Sequence, residues 1–206
     1  MIKNVKIASI VLALAFAGGV SQSASAAIIS FSNQALWTYY TQSNGVPTWT
    51  ETFDSYNGYY AGSVTGVSGP VTWIASATQG LFVASGLFST NNPETLSFTF
   101  SAGNQSIQGV GGNIFATDTT FNTASAIMQV TLADGTSHIG FSTGIIDFIG
   151  FYSTGAAITG LTITATPLSN GALVYPTVNN MSFATIPAPG AVALLGIVGL
   201  LSRRRR

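Results

Sequence analysis

The chain has no cysteine and a single histidine in 206 residues. Thiol catalysis and cysteine-type zinc sites are therefore excluded, and no disulfide can brace the fold. Cations are missing from nearly the whole length, because all six Lys and Arg are Lys3, Lys6 and Arg203 to Arg206. A body without a cation cannot neutralise phosphates, which excludes nucleic acid as a partner. Anionic membrane surfaces and acidic polysaccharides are poor direct partners for the same reason, unless a divalent cation bridges them. Long stretches of helix formers are absent.

What is present sits first at the two ends. Lys3 and Lys6 precede an apolar stretch from Ile7 to Val20, then Ala24-Ser25-Ala26. That order is a secretory signal peptide, residues 1–26, with cleavage expected between Ala26 and Ala27; the alternative is an uncleaved anchor. At the other end, Pro187-Ala188-Pro189-Gly190 leads into an apolar run from Ala191 to Leu201 and four terminal arginines. About eleven to thirteen apolar residues rise only ~17–20 Å as a helix, short of a ~30 Å hydrocarbon core. Arginines at one end hold that end in the cytoplasm, so the preceding chain lies outside. The two prolines fix φ and keep the segment before the helix extended. A plain tail anchor is the other reading of this end.

Taken together, the signal peptide, the polar-aromatic middle and the Pro187 to Arg206 tail resemble bacterial PEP-CTERM proteins. Ala188 stands where that family usually carries Glu. The resemblance implies a sorting signal over 186–206, read by an integral-membrane processing enzyme, an exosortase. The site residues it names are Pro187, Ala188, Pro189, Gly190, Arg203, Arg204, Arg205 and Arg206. It further implies membrane contact only through the tail, passing through signal peptidase and then the exosortase. The destination would be the cell surface or the exopolysaccharide matrix. Without its ends the body keeps six acids and no Lys or Arg, a charge near −6. Packing and backbone hydrogen bonds, not ion pairs, must hold it together.

The body, 27–185, reads as an all-β antiparallel sandwich or jelly roll with one short N-terminal helix. Leu96, Phe98 and Phe100 share one face of an alternating run, and Met128, Val130 and Leu132 share another. Asp134-Gly135 between two such runs predicts a hairpin. Further strands are expected at 48–53, 71–75, 81–83, 146–152, 158–165 and 177–183, with turns at Asn44-Gly45, Asn57-Gly58 and Asn170-Gly171. Asn33 is a helix cap before Ala35, Leu36, Tyr39 and Tyr40, which recur at helical spacing; a helix there would cover one end of the sandwich. The middle also resembles β-sandwich domains of the carbohydrate-binding, jelly-roll type. Glu51-Thr52-Phe53-Asp54, the segment from Gly109 to Asp118, and Val178 to Phe183 carry that resemblance, with Asn179 where many relatives have Asp.

Candidate chemistry is sparse. His138 falls in an outward position of a hairpin strand, where solvent contact rather than catalysis is the expectation. Glycoside hydrolysis needs two facing carboxyls, and Glu94, Asp118 and Asp134 sit in turn-like settings where acids cap backbone. The protein is thus expected not to be an enzyme. Calcium takes six to eight oxygens from loops, and Glu51, Asp54, Asn113 and Asp118 are candidate ligands if their loops converge. No Asp-x-Asp-x-Asp-Gly loop exists, so turn capping is the competing role. Loop aromatics Tyr56, Tyr59 and Tyr60 are candidates for stacking on sugar rings, while Trp37, Trp49 and Trp73 read as core. The leading expectation is a structural or adhesive role within exopolysaccharide; a lectin-like module, with or without calcium, is the alternative, and a glycan hydrolase the third.

Overall fold

The computed structural model describes residues 27–188. The expected signal peptide, with Ala24 and Ala26, and the tail residues Pro189, Gly190 and Arg203 to Arg206 lie outside the described residues. In chain order the elements are β1 (Ile28–Phe31), α1 (Gln34–Ser43), β2 (Thr48–Glu51), β3 (Gly58–Tyr60), β4 (Ser63–Ser68), β5 (Val71–Ser76), β6 (Leu81–Ala84) and β7 (Leu87–Thr90). They continue with β8 (Leu96–Ser101), β9 (Gln105–Thr117), β10 (Thr123–Ala124), β11 (Ala126–Leu132), β12 (Ser137–Ser142), β13 (Phe148–Ser153), β14 (Gly160–Pro167) and β15 (Tyr175–Pro187).

Two antiparallel sheets face each other. The larger runs β1-β13-β9-β15-β7-β6-β3, with β10 beside β9 and β2 beside β15; the smaller runs β12-β11-β14-β8-β5-β4. Alternation explains the smaller sheet directly. Leu96, Phe98 and Phe100 of β8 point inward while Ser97, Thr99 and Ser101 point out, and β11 alternates likewise. The expected hairpin joins β11 to β12: Gly135 takes φ +89°, and Asp134 Oδ1 accepts from the Thr136 N–H at 2.9 Å.

Between the sheets lies one continuous core. Its densest part is aromatic, with Phe53 and Phe88 centroids 4.9 Å apart and Trp73 edge-on to Phe88 at 5.9 Å. Each fully buried large side chain contributes about 1.5–3 kcal/mol. Among the described residues no Lys or Arg occurs, so this burial does the work that ion pairs or disulfides do elsewhere.

The larger sheet has a second cover. Asn33 caps α1 as expected, accepting from the Leu36 N–H at 3.0 Å. The helix lies on the outer face of β13 and β9, not across one end of the sandwich. Trp37, 2% exposed, anchors it among Phe148, Tyr152 and Ala184, and its indole N–H donates to the Phe151 carbonyl at 3.0 Å. Strand β9, buried on both faces beneath it, needs glycine for space. A Cβ on Gly111 would lie 2.6 Å from Phe148 Cζ, and one on Gly109 would lie 2.9 Å from Ala184 Cβ. The sandwich also takes in Ile186 and Pro187, beyond the boundary expected at 185: β15 pairs through Pro187 with Gln105, and the Ala188 N–H donates to the Asn104 carbonyl.

Candidate functional site

Strand β15 shares one edge between two partners. Strand β7 pairs with Thr177 and Val178, and β2 pairs with Met181 to Ala184. The gap between them falls at Asn179-Asn180, where the β9 register slips in a bulge and Asn180 takes φ +50°. Two other segments turn into this gap: Phe53, at φ +60° just after β2, and Ser85-Gly86, at +51° and +75° between β6 and β7. Three of the four non-glycine residues with positive φ among the described residues therefore meet here. Each such residue costs on the order of 1–3 kcal/mol, held by its surroundings. The result is a convergence of oxygens. A Cβ on Gly86 would lie 2.9 Å from both Asp54 Oδ1 and the Thr52 carbonyl oxygen, and 3.7 Å from Asn179 Oδ1.

The four candidate calcium ligands do not all share this spot. Asp54 faces it. Glu51 is occupied nearby, accepting from the Phe53 N–H at 2.9 Å and from the Trp73 indole at 3.1 Å. Asn113 lies in β9 rather than a loop, and accepts from Asn180 Nδ2 at 3.2 Å, so it braces the bulge. Asp118 lies past the end of β9, about 17 Å along the strand direction from Asn113 at ~3.4 Å per residue. There it closes its own turn, Oδ1 accepting from the Thr120 N–H and Oγ1 and from the Asn122 N–H; the Thr120 bonds hold its carboxyl below the usual range. Thr52 and Asn179, which complete the convergence, were not ligand candidates from the sequence. One of them is a main-chain carbonyl, which any residue type supplies.

The tyrosine platform also divides. Tyr56 and Tyr60 are half-buried, with one side packed against the core. Tyr56 lies edge-on to Trp73 at 5.3 Å, and burial, reinforced by the nearby Glu51 charge, pushes its hydroxyl pKa up. Tyr60 accepts from the Asn57 N–H at 3.3 Å, fixing the turn. Tyr59 alone is open, 55% exposed. Trp37 and Trp73 are core as expected, but Trp49 is 42% exposed and lies over Gly69 in the β4–β5 turn. Edge strand β2 leaves that indole with cover on one side only.

The remaining acids serve as caps. Glu94 accepts from the Gln79 N–H at 2.8 Å, and Asp147 accepts from Thr143 and Gly144. His138 does not take the outward position expected of it: on β12 Ser137, Ile139 and Phe141 point out, while His138 is half-buried with its ring edge-on to Phe151 at 6.4 Å and Nδ1 3.2 Å from Ser30 Oγ. Among the described residues no three His, Cys, Asp or Glu side chains gather in one place.

A different feature covers the outer face of the smaller sheet. Cross-strand register aligns Ser63, Ser76, Ser97, Thr162, Thr131 and Ser137 in one row that crosses all six strands. Above and below it Thr65, Thr72, Thr99, Ser101, Thr164 and Thr166 also point outward, interspersed with Val67, Ile74, Ile127, Gln129, Ile139 and Phe141. None is charged. Each strand's polar half was readable from alternation, whereas the row depends on pairings between residues far apart in the chain.

No family model matches this chain, and no curated protein matches it. Among solved structures the chain is similar to a rhamnosidase from Klebsiella oxytoca with rhamnose bound, at 6% identity and a TM-score of 0.33. That alignment covers 76% of this chain and 33% of the other, so the chain spans about a third of that protein's length.

Proposed function

We propose that the protein is a secreted, non-catalytic β-sandwich with a structural or adhesive role in extracellular polysaccharide, delivered by a processed C-terminal sorting signal. The observation that carries this reading is the uncharged, hydroxyl-lined outer face of the six-stranded sheet. A face of that kind exchanges hydrogen bonds with neutral glycan chains and water alike, and pays no desolvation of charge when it is covered. The use of nearly all the carboxylates as backbone caps supports the non-catalytic part. Ala27, the expected first residue of the secreted body, exchanges hydrogen bonds with Thr154, which suits a body that begins there.

Mass spectrometry of the protein from its native cells tests the delivery, with ends expected at Ala27 and close to Pro189. An uncut polypeptide inside the cell would refute it. Co-sedimentation with the cells' own extracellular polysaccharide tests the face: Thr99→Glu with Thr162→Glu should release the protein while changing stability by less than about 0.5 kcal/mol.

Calcium is a second reading, favoured by the oxygens converging beside Gly86. Asp54, Asn179 and the Thr52 carbonyl would hold the ion, leaving several of its six to eight positions to water. Calcium bound there would pin β2 and β7 to the β15 bulge. Millimolar calcium should then raise the melting temperature, and Asp54→Asn should abolish the rise. Equal melting in calcium and in chelator removes the ion from this account.

A further inference from the structure

Beyond α1 the outer face of the larger sheet holds a cleft of about 260 Å³, whose floor is buried. Cross-strand pairing places Phe115, Thr177, Ser89, Phe82 and Tyr59 in one row over β9, β15, β7, β6 and β3. Phe121 leans over this row, its ring centroid 5.3 Å from that of Phe82. Below the rings the floor is hydroxylic: Thr117 Oγ1 lies 2.8 Å from Thr177 Oγ1, which lies 3.0 Å from Ser89 Oγ. Asp118 stands on the rim beside Tyr175.

The backbone around Phe121 is built at a cost. Phe121 takes φ +63°, a region uncommon for a bulky residue and natural for glycine. Asp118 holds it there by closing the turn on both sides, through Thr120 and Asn122, and its carbonyl accepts from the Phe121 N–H at 3.2 Å. An observed strain of this kind points to a use for the ring at that place. Within the carboxylate only Oδ1 is saturated; Oδ2 receives one long contact, from Asn122 Nδ2 at 3.4 Å. A strong acceptor with one long contact thus lines the cleft together with Phe82 and Phe121.

We propose that this cleft binds one neutral pyranose unit of a glycan. A pyranose has an apolar C–H face and a hydroxyl edge, and the cleft offers the matching pair: rings of Phe82 and Phe121, then Asp118 Oδ2 at the rim, above a floor of buried hydroxyls that bond to one another. Tyr59, next to Phe82 in the row and exposed, continues the aromatic track for an adjoining unit. Anionic sugars are disfavoured, since Asp118 repels them and no Lys or Arg stands among the described residues. The choice of a glycan rests on the matrix reading above; the cleft is distinct from both the hydroxyl face and the Gly86 oxygens.

The test is an amide NMR titration of the full chain with cellobiose, maltose and N-acetylchitobiose, with glucuronic acid as the anionic control. Saturable shifts are expected at residues 82, 89–91 and 117–122 for at least one neutral sugar, and none for glucuronic acid. Phe121→Gly relieves the φ and removes the ring, so it should weaken binding about tenfold, the weight of one aromatic contact, without lowering the melting temperature. Asp118→Asn keeps the turn's acceptor and should weaken binding too. Absence of shifts with every neutral sugar overturns the proposal, as does unchanged binding by Phe121→Gly, or shifts confined to the six-stranded sheet. A protein found in the matrix without cleft shifts leaves the matrix reading standing and removes this one; cleft binding by a protein retained inside cells does the reverse.

Discussion

The two outer faces of the sandwich were built in opposite ways. On the six-stranded sheet the strands largely keep their alternation, and the outward half is uncharged: Ser and Thr with several aliphatics, Gln129 and Phe141. On the nine-stranded sheet α1 covers β13 and β9, whose residues are buried on both sides almost throughout. Cover removes alternation, because a residue facing a helix is under the same pressure as one facing the opposite sheet. The open regions are then few and specific: the gap beside Gly86, the cleft under Phe121, and the hydroxyl face.

Removing the cover should have the largest effect. Trp37→Ala deletes a ring 2% exposed and its bond to Phe151, and should lower stability by about 3–5 kcal/mol in urea melts. The matched change on the bare face, Thr162→Ala, should stay within about 0.5 kcal/mol. Similar losses from both would erase the contrast between the faces. Next comes Gly111→Ala, which pushes a methyl to 2.6 Å from Phe148 Cζ; crowding there should cost about 1–3 kcal/mol. At Gly135, where a Cβ would meet nothing, the cost of alanine is backbone strain at φ +89° alone. A smaller loss at Gly111 than at Gly135 would mean that α1 and β13 yield easily.

Glu51→Gln keeps one acceptor oxygen where Phe53 and Trp73 use Oε1 and Oε2 separately, so one of the two N–H groups meets an NH2 and loses its partner; the change should cost about 1–3 kcal/mol. The smallest effect is at Asp118. Its folded pKa lies below the ordinary value near 3.8, so the stabilisation is full above that value and disappears as pH falls through the folded pKa. Melting profiles of wild type and Asp118→Asn should therefore run parallel from neutral pH down to about pH 5 and converge toward pH 2. Parallel profiles down to pH 2 would show that the carboxylate's charge is idle in the turn.

Much of the smaller sheet could be read from residue order. β8, β11 and the Asp134-Gly135 hairpin needed only alternation and a turn residue, and the helix after Asn33 needed only its cap and spacing. Strand β9 was hidden. Gly109, Gly111 and Gly112 look like a loop, yet the glycines stand there because Trp37, Phe148, Ala184 and Val178 press in from other elements. The same holds for Tyr56 and Tyr60: residues flanking an Asn-Gly turn resemble surface, and only the approach of Trp73 and Phe88 half-buries Tyr56. At the oxygen cluster Asp54 was legible as a carboxylate, whereas Thr52 contributes a carbonyl and Asn179 arrives from the last strand.

Residue order alone determined the all-β class, the capped helix α1, and a body without Lys or Arg, because alternation, capping and charge are properties of neighbours in the chain. Tertiary structure decided which side of each sheet is covered, where β15 leaves its gap, and which hydroxyls line up across six strands. Those depend on partners such as Trp37 and Phe151, 114 residues apart. Contacts over such distances follow from register and packing, which no local pattern encodes.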